Sequence, residues 1–203
     1  MKKSSILILI IICLVGCKKG SNETTITGEI KGLGTDTLYL YGMDELYDRI
    51  DTIYVENDKF SYTTSVDTIT SAYLLLKNRI EYPVFLDKGN KIKIKGDTIN
   101  LNFLTISGNI YNEEFTDFQK ALEDPADPSE KAGEETVDKR ITVEKANTAE
   151  EMAEEFILQH HSSYVSLYLL DKYFVQKETP DFSKIKKLVE VMTGVLQDKP
   201  YIE

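Results

Sequence analysis

From Thr24 to Ser107 apolar and polar residues alternate, or short apolar runs stand between turn residues, and both patterns predict β-strands. Ile26, Gly28 and Ile30 alternate with Thr27, Glu29 and Lys31 before a turn at Gly32-Leu33-Gly34. Leu38 and Leu40 are set to face one way, Tyr39 and Tyr41 the other. Ile53 and Val55, a turn at Glu56-Asn57-Asp58, then Phe60 and Tyr62 predict a hairpin. Tyr73–Leu76 and Val84–Leu86 are unbroken apolar runs, the pattern of central strands buried on both faces. Lys91-Ile92-Lys93-Ile94-Lys95 has one dry face and one lysine face, as an edge or outer strand should. Leu101 to Ile106 closes the set. Asp-Thr-Ile/Leu recurs at Asp36, Asp51, Asp67 and Asp97, which suggests Asx-turns at strand entries.

After Ser107-Gly108-Asn109 the apolar spacing becomes helical. Tyr111, Phe115, Phe118 and Leu122 make one stripe, ended by Pro125 and Pro128. Residues 123–147 are rich in Glu, Asp and Lys, which predicts a charged loop, or a charged helix over part of Thr136 to Lys145. Thr148-Ala149-Glu150-Glu151 has the form of a capping box opening a helix with Met152, Phe156 and Ile157 on its apolar side. His160-His161-Ser162-Ser163 interrupts it. A buried helix is expected from Tyr164 to Val175, and a last one after Pro180-Asp181 with Phe182, Ile185, Leu188, Val189, Met192, Val195 and Leu196 in a stripe. The expected class is α+β: an antiparallel, β-rich meander or sandwich-like domain over 24–107, then a helical region of about four helices over 108–203.

Lys2 and Lys3, then the apolar run from Ile6 to Val15, have the form of a secretory signal and are too short to span a bilayer comfortably. The run ends in Leu14-Val15-Gly16-Cys17, which resembles the bacterial lipobox. That resemblance implies cleavage between Gly16 and Cys17, with the Cys17 thiol carrying a diacylglycerol. The alternatives are an ordinary signal with a chance cysteine, or an uncleaved anchor. On the lipobox reading, residues 1–16 are the signal and 17–23 an acylated tether to a membrane, in the bacterial envelope and facing the extracytoplasmic space. More than one acyl chain makes such an anchor stable.

Cleavage leaves 187 of the 203 residues and, with Lys2 and Lys3 gone, takes the net charge from −10 to −12. So acidic a chain with no basic cluster in its sequence argues against nucleic-acid partners and against peripheral electrostatic membrane binding. Cys13 leaves with the signal and Cys17 is acylated. No thiol then remains for a disulfide, a C-x-x-C redox pair or a cysteine zinc site.

No catalytic residue, metal ligand or cofactor is assigned from the sequence. His160 and His161 are adjacent, so on a helix they diverge by about 100° and suit a helix end better than one metal. Asp44-Glu45-Leu46-Tyr47-Asp48 lacks the order of an EF-hand loop, and Gly28, Gly32 and Gly34 lack that of a phosphate-binding fingerprint. Serines occur without a G-x-S-x-G elbow, and Glu113-Glu114 and Glu154-Glu155 suit solvated helix faces. Tyr39, Tyr41, Tyr54, Tyr62, Tyr73 and Tyr82 all fall on expected strands, where they can fill half-buried sheet surface or stack on a sugar or peptide.

The lipobox, Ile26-Thr27-Gly28-Glu29-Ile30, Phe85-Leu86-Asp87-Lys88-Gly89-Asn90, Ile106-Ser107-Gly108 and Ser163-Tyr164-Val165-Ser166 together resemble a module of bacterial lipoproteins. It is the N-terminal domain of unknown function that commonly precedes a TlpA/AhpC-type thioredoxin-like domain. The resemblance implies a β-rich domain plus helices and a thioredoxin-like protein as partner. No C-x-x-C occurs in this chain, so no redox residue is carried over. The expectation is a non-catalytic binding or accessory lipoprotein, or else the detached front part of a thiol–disulfide oxidoreductase.

Overall fold

The computed structural model describes residues 22–43, 46–123, 138–193 and 196. The strands are β1 (Glu23–Lys31), β2 (Asp36–Gly42), β3 (Ile50–Val55), β4 (Lys59–Ser65), β5 (Thr70–Leu75), β6 (Glu81–Leu86), β7 (Lys91–Asp97) and β8 (Thr105–Ser107). They form two four-stranded sheets, in the orders β4-β1-β7-β8 and β3-β2-β5-β6. Helix α1 (Ile110–Glu123) follows, then α2 (Asp138–Gln159), α3 (Tyr164–Leu170), a π-helical turn (Asp171–Val175) and α4 (Phe182–Val191). This is the α+β architecture that the change of apolar period predicts. No helix among the described residues is long and apolar enough to cross a membrane.

Alternation decides what each sheet buries. Ile26, Ile30, Ile92, Ile94 and Ile106 of the first sheet meet Leu38, Leu40, Ile53, Leu74 and Val84 of the second in one core. Gly28 belongs to this inner face because the Phe60 ring of neighbouring β4 lies across it, where a Cβ would stand.

Pairing departs from a meander. β1 pairs antiparallel with β4 but parallel with β7, in the register Thr25↔Lys91 and Glu29↔Lys95. The expected hairpin from Ile53 to Tyr62 is a corner instead. Asn57 and Asp58 have φ of 51° and 68°, values that Asn and Asp tolerate, and the turn is tight. Its two arms nevertheless enter different sheets, because each buries its apolar side against the other.

The lysine strand β7 is internal, between β1 and β8, and not at an edge. β6, expected to be central, is an edge strand whose burial comes from α1. Asn112 of α1 replaces a missing strand: its Oδ1 accepts from the Phe85 amide at 3.0 Å and its Nδ2 donates to the Phe85 carbonyl at 2.8 Å. Thr116, one turn on, does the same for the opposite sheet. Its hydroxyl accepts from the Ile106 amide at 2.9 Å and donates to the Ile106 carbonyl at 3.0 Å. Asn109 caps α1 by accepting from the Asn112 amide at 3.0 Å.

Thr148 does not open a helix. α2 begins at Asp138, so of the loop and the charged helix expected for residues 123–147 the helix is found over the last ten, and Thr148 lies inside it. Glu150, one residue before the box's expected carboxylate Glu151, meets Lys177 at 2.6 Å and Lys184 at 3.5 Å. All seven residues of α3 are buried, as its apolar run requires. Asp181 caps α4 by accepting from the Ser183 and Lys184 amides. The α4 stripe starts at Ile185, since Phe182 is 77% exposed. Of the repeated aspartates, Asp36 accepts from the adjacent Thr37 amide, while Asp97 makes an Asx-turn with Ile99 at a strand exit and not at an entry. Asp51 lies within β3.

Candidate functional site

The second sheet turns four tyrosines outward for the same reason that it turns leucines inward. With Leu38 and Leu40 buried, Tyr39 and Tyr41 must face out; with Ile53 and Val55 buried, so must Ile50, Thr52 and Tyr54. β5 adds Tyr73 and Leu75. The register places Tyr41 between Ile50 and Tyr73, and Tyr39 between Thr52 and Leu75. Ile50 and Tyr54 are each 73% exposed and Tyr39 is 41%. The Tyr41 and Tyr73 rings are 5.7 Å apart, tilted by 41°. Tyr62 and Tyr82, expected with this group, face into the sandwich, so the sequence set of six divides four to two.

Beyond Tyr73 the surface continues onto the π turn. The Gln176 amide there reaches back to the Asp171 carbonyl at 2.9 Å, five residues away, which widens the helix. Lys172 is exposed as a residue, yet its ammonium folds back over the protein. It donates to the Tyr168 hydroxyl at 3.0 Å and lies 5.4 Å and 5.8 Å from the centres of the Tyr168 and Tyr173 rings. Crowding by protein around that nitrogen lowers its pKa from the ordinary lysine value. Burial pushes the Tyr73 hydroxyl up to about 12, helped by the negative charges of Asp171 and Glu81. The Tyr41 hydroxyl is raised further, first by burial and then by its hydrogen bond to Glu81. At neutral pH these phenols keep their protons and act as donors. The face therefore offers ring faces, hydroxyl donors and two carboxylates, Glu81 and Asp171, with the Lys172 ammonium on the adjoining turn, the groups that stack on and hydrogen-bond to a sugar or an extended peptide. The i, i+4 spacing of Tyr168 and Lys172 was readable in the sequence; the π turn that aims Lys172 was not.

The other sequence candidates do not converge. His160 stacks on Phe156, with ring centres 4.2 Å apart, and its Nδ1 is 3.4 Å from Glu114 Oε1. His161 instead meets Thr193, Nδ1 to Oγ1, at 3.0 Å. Ser163 Oγ donates to the other Glu114 oxygen at 2.5 Å, so the order is Ser–Glu–His. A nucleophilic triad needs histidine in the middle to take the serine proton. Glu113 accepts from the Gly108 amide at 3.3 Å, while Glu154 pairs with Lys184 at 2.8 Å and Glu155 accepts from Gln159 at 2.9 Å. Each pair thus splits between separate partners. No group of three His, Cys, Asp or Glu side chains able to hold a metal occurs among the described residues. Gly16, Cys17, Asp44 and Glu45 lie outside the described residues.

A polar clasp spans the mouth between β3 and β4. Tyr47 donates to Asp51, Arg49 meets Asp51 at 3.1 Å and the Ser65 carbonyl at 3.1 Å, and Thr64 joins both Tyr47 and Arg49. Arg49 also covers the Tyr47 ring at 4.7 Å. These groups satisfy one another and tie the two sheets together. An open groove of about 500 Å³ lies across the far end of the first sheet, lined by Glu29, Lys95, Asn100, Phe103 and Thr105 among others. It brings together no nucleophile and base.

No curated protein matches the chain. Residues 24–115, which carry all eight strands and the opening turns of α1, match the family model of a domain of unknown function, DUF4369.

Proposed function

We propose that this chain is a membrane-anchored lipoprotein of the bacterial envelope, whose folded part is a non-catalytic binding or accessory module. The observation that carries the reading is Leu14-Val15-Gly16-Cys17 at the end of an apolar run, six residues before β1 begins at Glu23. The outward-facing Tyr39, Tyr41, Tyr54 and Tyr73, the first and third exposed and the other two half-buried, give the module a surface suited to a glycan or peptide. The test is metabolic: cells are fed a tagged fatty acid. Wild-type chain takes up label and Cys17→Ala takes up none. Equal labelling of the two, or an unlabelled wild type, removes the proposal.

A second reading comes from the resemblance to the front module of thioredoxin-like lipoproteins. The chain then acts together with a thioredoxin-like domain. The DNA beyond the Glu203 codon decides this. A frame encoding a C-x-x-C thioredoxin-like domain supports it, and unrelated sequence counts against it.

A further inference from the structure

The strands put no apolar side chain on the outer face of the first sheet; Phe103, between β7 and β8, borders it at the groove. Its alternate positions are Thr, Ser, Lys and Glu along β1, β4, β7 and β8, ending in Asp97. Pairing gathers onto it lysines that are scattered along the sequence: Lys31, Lys59, Lys91, Lys93 and Lys95. Glu29 stands between Lys59 and Lys95, and Asp97 opposite Lys31. Lys91 faces Thr25, and Lys93 lies between Thr27 and Ser107. Among the described residues, no carboxylate lies within 4.0 Å of any of the five. Counting Glu23 as well, the face holds five lysines against three acids on a chain whose net charge is −10.

Its position relative to the anchor gives this face a partner. β1 lies inside this sheet, and its first residues pair with the Lys91 end of β7. The six residue-to-residue steps from Cys17 to Glu23 reach at most about 20 Å. The field of an anionic leaflet acts over about 8–10 Å.

We propose that the lysine face of the first sheet lies against the anionic phospholipid head groups of the membrane that holds the anchor. The proposal rests on the lipoprotein reading above. The anchor supplies the affinity and the lysines supply the orientation: each lysine near an anionic leaflet favours contact by about fivefold, at the high local concentration that tethering creates. The sheets are stacked, so docking the first turns the tyrosines of the second toward the aqueous compartment.

The test uses the acylated full chain on vesicles of phosphatidylcholine alone or mixed with phosphatidylglycerol. Flotation reads the anchor, and amine acetylation followed by mass spectrometry reads the face. Lys91, Lys93 and Lys95 should label about fivefold more slowly on the anionic vesicles, with the difference erased by high salt and Lys186 of α4 unaffected. The triple variant Lys91→Gln, Lys93→Gln, Lys95→Gln should still float while losing the lipid dependence at Lys31 and Lys59. A chain that floats on both vesicles but labels alike on both overturns the docking alone. A chain that floats on neither overturns the anchor, and the docking with it.

Discussion

Gly108 and Gly34 both have positive φ, at 113° and 71°, but only one is hemmed in. A Cβ on Gly108 would run into the Lys91 carbonyl and the Ile92 backbone, whereas a Cβ on Gly34 meets nothing within 4 Å. Backbone atoms inside a sheet cannot swing aside as a side chain can. Gly34→Ala should therefore cost only the left-handed penalty, about 1 kcal/mol. Gly108→Ala should cost more than about 3 kcal/mol, since overlap adds to strain. Denaturant melts of both variants check this, and equal losses would show that β7 yields. The two glycines look alike in the sequence, and only the fold tells them apart. Lys172 makes the same point. Its i, i+4 spacing from Tyr168 is legible, but the π turn that lays it over two tyrosine rings is not.

Helix α1 is the element that closes the sandwich on its β6–β8 side. One face of it carries both an apolar stripe and two polar side chains, Asn112 and Thr116, which replace strand hydrogen bonds for the two sheets. Removing Thr116 leaves a buried amide and carbonyl unmatched; removing Asn112 leaves the Phe85 amide unmatched, while the Phe85 carbonyl keeps Asn109 Nδ2 at 2.8 Å. Asn112→Leu should lose about 2–4 kcal/mol, and Thr116→Val, which keeps the shape, about 1–3 kcal/mol. Thermal or urea unfolding measures both; losses below about 0.5 kcal/mol would mean that water or Asn109 takes over these bonds. The alternation of β1, β2 and β7 and the apolar spacing of α1 and α3 were legible because period follows from which side is buried. Strand order was not, because alternation fixes a strand's face and not its neighbour; hence β7 was expected at an edge and β6 in the middle. The capping box at Thr148 failed for a related reason. A local cap preference is worth about 1 kcal/mol, less than continuing a helix that docks through Ala153 and Ile157. The tyrosine face was half legible: alternation turned Tyr39 and Tyr41 away from Leu38 and Leu40, but nothing local placed Tyr54 and Tyr73 beside them or Tyr62 and Tyr82 inside.

For the molecule as a whole, the two sheets are held at the β3–β4 mouth by a clasp whose charge depends on pH. Burial opposes the charge on Asp51, but hydrogen bonds from Tyr47 and Tyr62 and the Arg49 charge outweigh it and lower its pKa. A carboxyl whose folded pKa lies below its unfolded one stabilises fully above the unfolded value, near 4, and that contribution fades as pH falls through the folded value. Asp51→Asn should cost about 1–3 kcal/mol at pH 7, and the gap to wild type should narrow in urea melts at pH 3. A gap of constant size would mean that the carboxylate charge does not matter. The parallel pairing of β1 with β7 has a consequence in time. The first strand made finds β4 once residue 65 exists, but its other side waits for residues 91–97. A ribosome-bound chain passes through a stage with the middle of its first sheet open along one edge. In that interval a neighbouring nascent copy can supply the missing strand, so crowded synthesis favours entangled pairs over single molecules.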